Sequence, residues 1–295
     1  MKEITVISGK GGAGKTSITA ALASVARHAV FCDNDVDAAD LYLIFQPENM
    51  EEHPFASGWK AVIDAGKCTV CNLCMDYCRF DAIQTDKTGI PKVNPYKCEG
   101  CRLCERICPE KAIVSQRNNN NFWYVASSRF GTLVHARMGA GEENSGKLVT
   151  QVRKRTKEIA TEEHLSFIIN DGPPGIGCAA ISSLSGTDLV LIVTEPTKSG
   201  LHDVTRLVEL ISSFNLQAYA VINKFDINPA MALKIEELMK TRHIPVLAKL
   251  PFDKQVVEAM VEGKTIVEYS PDSEISSKIR EIWKILGAEQ VVLNQ

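Results

Sequence analysis

Short apolar runs recur along the chain, and each is followed by a longer segment whose apolar residues have helical spacing. Continuous apolar runs of this length are typical of parallel strands that are buried on both faces of a sheet. Strands that alternate with helices predict an α/β fold with a doubly wound, mostly parallel sheet. The predicted strands are residues 4–7, 29–32, 165–170, 188–194, 218–223 and 246–250.

This alternation stops between residues 59 and 117, where no long helical pattern occurs and turn signals such as Thr88-Gly89 are frequent. The polar run 118–121 is typical of a linker, and a strand-like pattern resumes at residue 122. We therefore expect a small second domain at residues 59–117. It is inserted into a discontinuous first domain of residues 1–58 and 118–295.

A phosphate-binding motif follows the first predicted strand. Residues 9–16 read GKGGAGKT, which fits G-x-x-x-x-G-K-[ST] between a strand and a helix. Such a loop turns backbone N–H groups toward phosphate oxygens, and the helix N-terminus adds positive potential. We expect Lys15 to reach the β- and γ-phosphates of a nucleotide and Thr16 to ligate Mg²⁺. The predicted nucleotide-binding residues of this segment are Gly9, Lys10, Gly11, Gly12, Ala13, Gly14, Lys15, Thr16 and Ser17.

Eight of the ten cysteines lie between residues 68 and 108, in two runs with one spacing, C-x2-C-x2-C-x3-C. This is the run of bacterial ferredoxins, in which the fourth cysteine of each run ligates the other cluster. The spacing therefore predicts two 4Fe–4S clusters in a small α+β domain of the bacterial ferredoxin type. We assign one cluster to the first cysteine set (Cys68, Cys71, Cys74 and Cys108) and the other to the second cysteine set (Cys98, Cys101, Cys104 and Cys78).

Two other uses of cysteine are weaker explanations. Zinc sites also use C-x2-C pairs, but they need two pairs rather than two runs of four. Disulfide frameworks belong to small secreted domains that lack a core.

One departure from the ferredoxin pattern is that Arg79 follows Cys78, whereas Pro109 follows Cys108. Positive charge near the second set predicts a raised potential there, and hence two unequal midpoints in a redox titration followed by EPR.

The composition and charge of the chain exclude several classes of protein. Hydrophobic residues make up 45% and charged residues 23%, and the net charge of −3 gives no strong attraction to nucleic acid. The apolar runs are too short for a membrane span, and the first residues do not form a signal peptide. Clustered thiols in a chain with a large core indicate a reducing, cytoplasmic setting. We therefore expect no nucleic-acid partner and no stable membrane insertion.

The second lysine of the loop, Lys10, gives the pattern K-G-G-x-G-K-T. This resembles the deviant Walker A motif of the P-loop ATPases that include MinD, Mrp and the nitrogenase iron protein. The resemblance covers about residues 1–50 and 120–290. It implies that Lys10 reaches the nucleotide of a partner subunit and that the ATP-bound form is a dimer, either with a second copy or with a paralogue.

Further sequence motifs of that ATPase group occur in this chain in the same order. Asp33-Asn34-Asp35 resembles its first switch, which implies that Asp35 positions the attacking water; Asp37 is better interpreted as a cap or a solvated turn. The run DGPPG at 171–175 resembles the second switch, which implies that Asp171 holds the magnesium shell. The implied catalytic residues are Lys10, Lys15, Asp35 and Asp171, and the implied Mg²⁺ residues are Thr16, Asp35 and Asp171.

Two later segments complete the implied nucleotide site. Asn223-Lys224 resembles the adenine-contacting pair, and Pro251-Phe252-Asp253 resembles the loop that closes over the base. With the cysteine runs added, the whole chain resembles MinD-superfamily ATPases that carry an inserted ferredoxin domain. The segments 141–149 and 171–178 also match that group.

Cys32 and Cys178 lie outside the runs. Cys178 is seven residues after Asp171, the offset at which the nitrogenase iron protein has a cysteine that binds a cluster shared between subunits. That protein's second, earlier cysteine has no counterpart in residues 141–150. We therefore interpret Cys32 as a core residue and Cys178 most simply as a small buried residue. A cluster that Cys178 shares between subunits stays the alternative, and it predicts about ten irons per chain instead of about eight. The basic run of the helix predicted to end near residue 160 is interpreted as a solvated face.

These features predict an ATP-hydrolysing dimeric switch that couples its nucleotide state to electron transfer or partner docking through two 4Fe–4S clusters. One alternative is an iron–sulfur cluster carrier, but such relatives use a late C-x-x-C pair, and no cysteine follows Cys178. Another is a MinD-like spatial regulator of cell division, whose relatives have a C-terminal amphipathic membrane helix. Here the corresponding stripe is more simply core-facing, and it comprises Ile275, Ile279, Ile282, Ile285 and Leu286.

Overall fold

The structure, a computed structural model, describes residues 1–56, 58–118, 120–139 and 145–288. Residues 141–144, which begin one of the segments that resemble the ATPase group, lie outside these ranges. The chain divides into two compact units. Unit 1 comprises Met1–Glu52, Tyr124–Ala136 and Gly146–Gln295, and unit 2 comprises His53–Trp123 and Arg137–Ser145.

The strands of the described residues are β1 (Lys2–Ser8), β2 (Ala29–Asp33), β3 (Glu48–Phe55), β4 (Gly58–Ile63), β5 (Ile83–Thr85), β6 (Pro91–Val93), β7 (Ile113–Asn118), β8 (Asn121–Ser128), β9 (Gly131–Arg137), β10 (Phe167–Pro174), β11 (Leu189–Thr194), β12 (Gln217–Asn223) and β13 (Val246–Leu250).

The helices of the described residues are α1 (Lys15–Val25), α2 (Leu41–Phe45), α3 (Leu73–Asp76), α4 (Leu103–Ile107), α5 (Ser145–Glu162), α6 (Cys178–Leu184), α7 (Lys198–Ser213), α8 (Pro229–Thr241), α9 (Lys254–Val261), α10 (Ile266–Tyr269) and α11 (Glu274–Ala288), with a 3-10 turn at Phe225–Ile227.

The main sheet has nine strands in the order β13-β12-β11-β1-β10-β2-β9-β8-β3. The pairs from β13 to β9 are parallel, and the six predicted strands are the consecutive members from the edge strand β13 to β2. Side chains alternate between two cores: Ile4 and Val6 pack with α1 and α11, whereas Ile7 packs with α7 and α8. Helices thus cover both faces, which confirms the predicted α/β fold with a mostly parallel sheet.

The far edge of this sheet was not predicted. β3 has the sequence ENMEEHPF, and most of its residues are exposed, as in an edge strand that lacks an apolar face. Hydrophobic periodicity cannot identify such a strand. The polar run 118–121 was expected to be a linker, but Asn118 ends β7 and Asn121 begins β8. Both asparagines are buried, and the side-chain oxygen of Asn121 accepts a hydrogen bond from the Gly139 N–H at 2.9 Å.

Unit 2 contains two small antiparallel pairs, β4 with β7 and β5 with β6. Its core is formed by Ala61, Cys74, Ile83 and Ile113. The backbone repeats at an interval of thirty residues, the interval that also separates Cys68 from Cys98. Positive φ angles recur at the matching pairs 70 and 100, 72 and 102, and 81 and 111. The two cysteine runs therefore have the same local fold.

Candidate nucleotide site and cysteine sets

The phosphate-binding loop joins β1 to α1 at the carboxyl edge of the parallel strands, where ligands bind in open α/β sheets. Gly12 and Gly14 have φ angles of 84° and 91°, which residues with a Cβ disfavour. Gly9 is constrained by packing, because a Cβ at this position would lie 2.6 Å from the carbonyl carbon of Asp203. Backbone conformation thus accounts for Gly12 and Gly14, and close packing accounts for Gly9.

Lys15, Thr16, Asp35 and Asp171 lie together at this edge. Lys15 Nζ is 3.2 Å from Asp171 Oδ1 and 3.6 Å from Asp35 Oδ2. The Thr16 hydroxyl donates to Asp171 Oδ2 at 2.7 Å, and the Thr19 hydroxyl donates to Oδ1 at 2.8 Å. A hydroxyl beside carboxylates supplies the oxygen ligands that Mg²⁺ prefers.

The charged groups at this edge lie close enough to shift one another's pKa values. Burial by itself would lower the pKa of Lys15, but Asp171, Asp35 and Asp33 outweigh it and raise the pKa above its ordinary value. Burial raises the pKa of Asp35 to about 6, although the charge of Lys15 acts in the opposite direction. Burial, and then the charge of Asp171, raises the pKa of Asp33. Three carboxyls around one ammonium leave an excess of acid that a divalent cation would offset.

Asp33 was not singled out from the sequence. Its Oδ1 accepts a hydrogen bond from the Asp35 N–H at 3.0 Å, and its Oδ2 accepts one from the Leu41 N–H at 3.1 Å. It therefore fixes the backbone of the segment that carries Asp35. The sequence feature that could have identified Asp33 is its position as the last residue of an apolar strand.

Lys10 has a separate set of partners. Its Nζ lies 2.8 Å from Glu195 Oε1 and donates to Ser199 Oγ at 3.0 Å. The other oxygen of Glu195 is 3.4 Å from Lys224 Nζ. Burial by itself would raise the pKa of Glu195, but the two lysines outweigh it and lower the pKa. Glu195 was also missed in the sequence, although it directly follows β11.

The predicted base-contacting residues divide into two groups. Asn223 Nδ2 donates to the Ala13 carbonyl at 2.9 Å, and Lys224 Nζ donates to the Gly12 carbonyl at 3.1 Å, so this pair adjoins the loop. The segment after β13 has other contacts. The Phe252 N–H donates to Asp226 at 2.7 Å, and Asp253 caps α9.

Ser17, the last predicted residue of the loop segment, lies on α1. Its Oγ is 2.9 Å from Met260 Sδ on α9. Ser17, Pro251 and Asp253 thus remain predictions as nucleotide contacts.

The two cysteine sets line two different cavities in unit 2. The first cavity is lined by Cys68, Cys71, Cys74 and Cys108. The second is lined by Cys78, Cys98, Cys101 and Cys104, with Cys74 also contributing. The fold thus brings the fourth cysteine of each run to the other run. Within the described residues, no three His, Cys, Asp or Glu side chains converge closely enough to hold a single metal ion.

The model of the CobQ/CobB/MinD/ParA nucleotide-binding domain matches residues 4–266. The chain belongs to this family. It is 34% identical over 289 residues to the protein MJ0578 of Methanocaldococcus jannaschii, with 96% of each chain covered. It is 28% identical over 136 residues to the iron–sulfur cluster carrier protein of Aquifex aeolicus, which covers 42% of this chain and 37% of the carrier.

A solved structure of this CobQ/CobB/MinD/ParA fold is the septum site-determining protein MinD of Pyrococcus horikoshii, complexed with Mg-ADP. It has a TM-score of 0.57 and 19% identity, and the match covers 97% of this chain and 95% of that one. This likeness concerns the fold. Residues 1–56, 58–118, 120–139 and 145–288 include no helix with the length and hydrophobicity of a membrane span.

Cys178 is exposed, so its interpretation as a buried core residue is wrong. It is the first residue of α6, and the helical period turns it away from the buried side of that helix, which is formed by residues 179, 180, 183 and 184. Cys32 is buried, as expected, and its thiol donates to Asn34 Oδ1 at 3.0 Å.

The interpretation of the basic run on α5 as a solvated face is wrong at one residue. Arg153 is 6% exposed, and its Nη2 and Nε lie 2.6 Å and 2.9 Å from Glu3 Oε1. Lys157 Nζ is 2.8 Å from the other oxygen of Glu3. Glu3 is buried at the start of β1, so the run supplies the cations that compensate a buried acid. The sequence of the helix alone does not reveal that acid.

Proposed function

We propose that this protein is a dimeric ATPase whose nucleotide state controls electron transfer or partner docking through two 4Fe–4S clusters. The observation that carries the proposal is the pairing of two sites in one chain: the Lys15–Asp171 centre and the two cysteine-lined cavities. The thiols of such a protein require a reducing compartment, so we expect it to act in the cytoplasm.

The side chains around the phosphate-binding loop supply the groups that ATP hydrolysis needs. Lys15 and the loop N–H groups hold the phosphates, and Thr16 and Asp171 hold Mg²⁺. Asp35 accepts a hydrogen bond from a water molecule and aligns it with the γ-phosphorus. The water oxygen bonds to that phosphorus, the bond to the β–γ bridging oxygen breaks, ADP leaves, and the water proton passes to solvent or phosphate.

Dimer formation is proposed from Lys10. Lys10 is the early lysine of the deviant motif, and its side chain is 32% exposed. We infer that Lys10 contacts the nucleotide of a second copy or of a paralogue. Lys10 then stabilises phosphoryl charge only when two subunits meet, which links hydrolysis to assembly.

The donor chemistry of the two cavities fits iron–sulfur clusters. Each cavity is lined by one complete set of four cysteines drawn from both runs, and Cys74 of the first set also reaches the second cavity. Four such cysteines are the ligand set of each cluster in a bacterial two-cluster ferredoxin. A cubane cluster spreads its four thiolates over four irons, so the sulfurs need not converge on one point. Such clusters accept and release single electrons. We propose residues 59–117 as the ferredoxin-like domain, with residues 1–58 and 118–295 as the ATPase domain.

The direct test uses protein purified anaerobically. We expect about eight irons per chain, EPR signals on reduction, and Mg²⁺-dependent ATP hydrolysis. Lys15→Ala should abolish hydrolysis and leave the iron content unchanged, whereas Lys234→Ala, at an exposed position on α8, should change neither. A protein that hydrolyses ATP but retains about zero iron under these conditions would overturn the redox part of the proposal alone.

A second candidate function is delivery of iron–sulfur clusters, which the match to the Aquifex aeolicus carrier favours. Incubation with an apo-ferredoxin separates the two. ATP-dependent loss of both clusters to the acceptor would support a carrier, and retention of iron over many turnovers would support an electron relay. The regulator alternative is less favoured because the stripe of α11 packs in the core, except for the exposed Ile285.

A further inference from the structure

The surroundings of the two cysteine sets differ although the backbones repeat. Asn72 and Arg102 occupy matching positions, each with a φ angle of 61°, but Asn72 lines the first cavity and Arg102 the second. Glu110 lines the first cavity, and its counterpart thirty residues earlier, Phe80, lines the second. At these two pairs of positions the second set has a cation and an aromatic ring where the first has an amide and an acid. At a third pair the second cavity has Glu99 where the first has Thr69.

Further cations lie near the second set. Arg79 stands between Cys78 and Phe80, which both line that cavity, at the position matched by Pro109 in the other run. Lys60 Nζ donates to the carbonyl of Cys98 at 3.0 Å. These groups add positive charge on the side of the second set.

Two guanidinium groups lie over one aromatic ring in the same region. Arg102 and Arg117 lie 4.6 Å and 5.3 Å from the centre of the Trp59 ring. Glu105 accepts a hydrogen bond from Arg102 at 2.9 Å and offsets one of these charges. The cationic rim is our name for the residues that line the second cavity, contact it or adjoin its lining residues: Lys60, Tyr77, Arg79, Phe80, Arg102 and Arg117.

The Lys, Arg, Asp and Glu side chains of the segment sum to a positive charge, to which each bound 4Fe–4S cluster with its four thiolates would add negative charge. Residues 59–117 contain ten Lys and Arg against seven Asp and Glu, although the whole chain has a net charge of −3. Tyr77 and Phe80 are 58% and 43% exposed. Arginine and exposed aromatic side chains are the residues enriched at protein–protein interfaces.

We propose that the cationic rim docks a protein electron carrier with an acidic surface. This rests on the proposed function, since Tyr77, Phe80 and Arg102 of the rim line the cavity of the second cysteine set. Opposite charge would steer the carrier to the cluster that these cysteines hold and fix its orientation. A nucleic acid fits less well, because two guanidinium groups already cover the Trp59 ring on which a base would stack.

The test measures how fast an acidic flavodoxin, reduced to its hydroquinone, transfers one electron to the anaerobic holoprotein in stopped flow. We expect the second-order rate to fall about tenfold between low and high salt. Arg79→Gln and Arg117→Gln should each lower the rate at low salt by about two- to fivefold. Lys87→Gln removes one charge from the exposed turn between β5 and β6, and it should leave the rate unchanged.

Equal rates in the rim variants and in Lys87→Gln would overturn the proposal, as would a rate with the flavodoxin that does not change between low and high salt. Inhibition by a short DNA duplex that depends on the rim arginines would reassign the surface to nucleic acid. Iron content and EPR of each preparation are measured first. Loss of the clusters in every preparation would reject the proposed function and the docking together, whereas intact clusters with insensitive rates reject the docking alone.

Discussion

The ammonium group of Lys10 and the carboxylate of Glu195 lie 2.8 Å apart within one subunit. If Lys10 contacts the nucleotide of a second subunit, this ion pair has to open when the dimer forms. A partly exposed pair of this kind contributes about 0.2–1 kcal/mol. Under this proposal, Glu195 opposes dimerisation by a small free energy that a single substitution can measure.

Glu195→Gln should favour the ATP-dependent dimer. Loss of the carboxylate releases Lys10, so we expect the dimer to form at a protein concentration about two- to fivefold lower, measured by sedimentation with ATP. Glu209→Gln is the matched control, since Glu209 pairs only at 3.8 Å with the exposed Arg242. An unchanged dimerisation curve for Glu195→Gln would show that the pair does not restrain Lys10.

Asp35→Asn should separate hydrolysis from binding. The amide keeps the shape of the side chain but positions water poorly, so we expect kcat to fall at least about a hundredfold. ATP affinity and ATP-dependent dimerisation should persist. Asp37→Asn, an exposed position two residues away, should retain normal kcat. A comparable loss of ATP affinity in Asp35→Asn would instead assign Asp35 to nucleotide binding.

Hydrolysis should depend on pH through Asp35. Its pKa is raised to about 6, so the ionised carboxylate that accepts a hydrogen bond from water is lost as the pH falls through that value. We expect kcat/KM for MgATP to decline below about pH 6. ATP itself titrates in the same range, so the comparison is with Asp35→Asn, whose residual activity should lack the part of the decline caused by Asp35. Identical profiles would contradict this prediction.

Iron content distinguishes the cysteines. Cys74→Ser removes a ligand of the first set, and we expect iron to fall from about eight to about four per chain. Cys178→Ser should leave about eight, because Cys178 lies outside unit 2 and is assigned to neither set. A fall from about ten to about eight in Cys178→Ser would indicate a cluster shared between subunits.

Arg153→Met should destabilise the protein by about 3 kcal/mol, measured from anaerobic urea unfolding. The substitution leaves the buried carboxylate of Glu3 with Lys157 as its remaining cation and the Asn170 amide as a hydrogen-bond donor. Arg155→Met is the control, since Arg155 pairs with exposed glutamates on the same helix, and its cost should stay within about 0.5 kcal/mol. Similar losses of unfolding free energy in both variants would show that the buried pair stabilises the protein no more than the exposed pairs do.

Much of the fold could be predicted because its signal is local. The central strands are continuous apolar runs, and the loop glycines and Lys15 form a motif that needs no distant residue. The edge strand β3 and the carboxylate of Glu195 could not be predicted in the same way. The former has no apolar face, and the latter acquires a role only because β11 ends beside the loop that carries Lys10.

The sequence by itself determined the phosphate-binding loop, the order of the parallel strands along the chain, and the two cysteine runs, because each depends on spacing between near neighbours. The tertiary structure decided which groups meet. Packing turned Cys178 outward, buried Arg153 against Glu3, and placed Arg102 and Arg117 over Trp59. Such contacts join residues that are far apart in the chain, and burial and charge there depend on the neighbours that folding supplies.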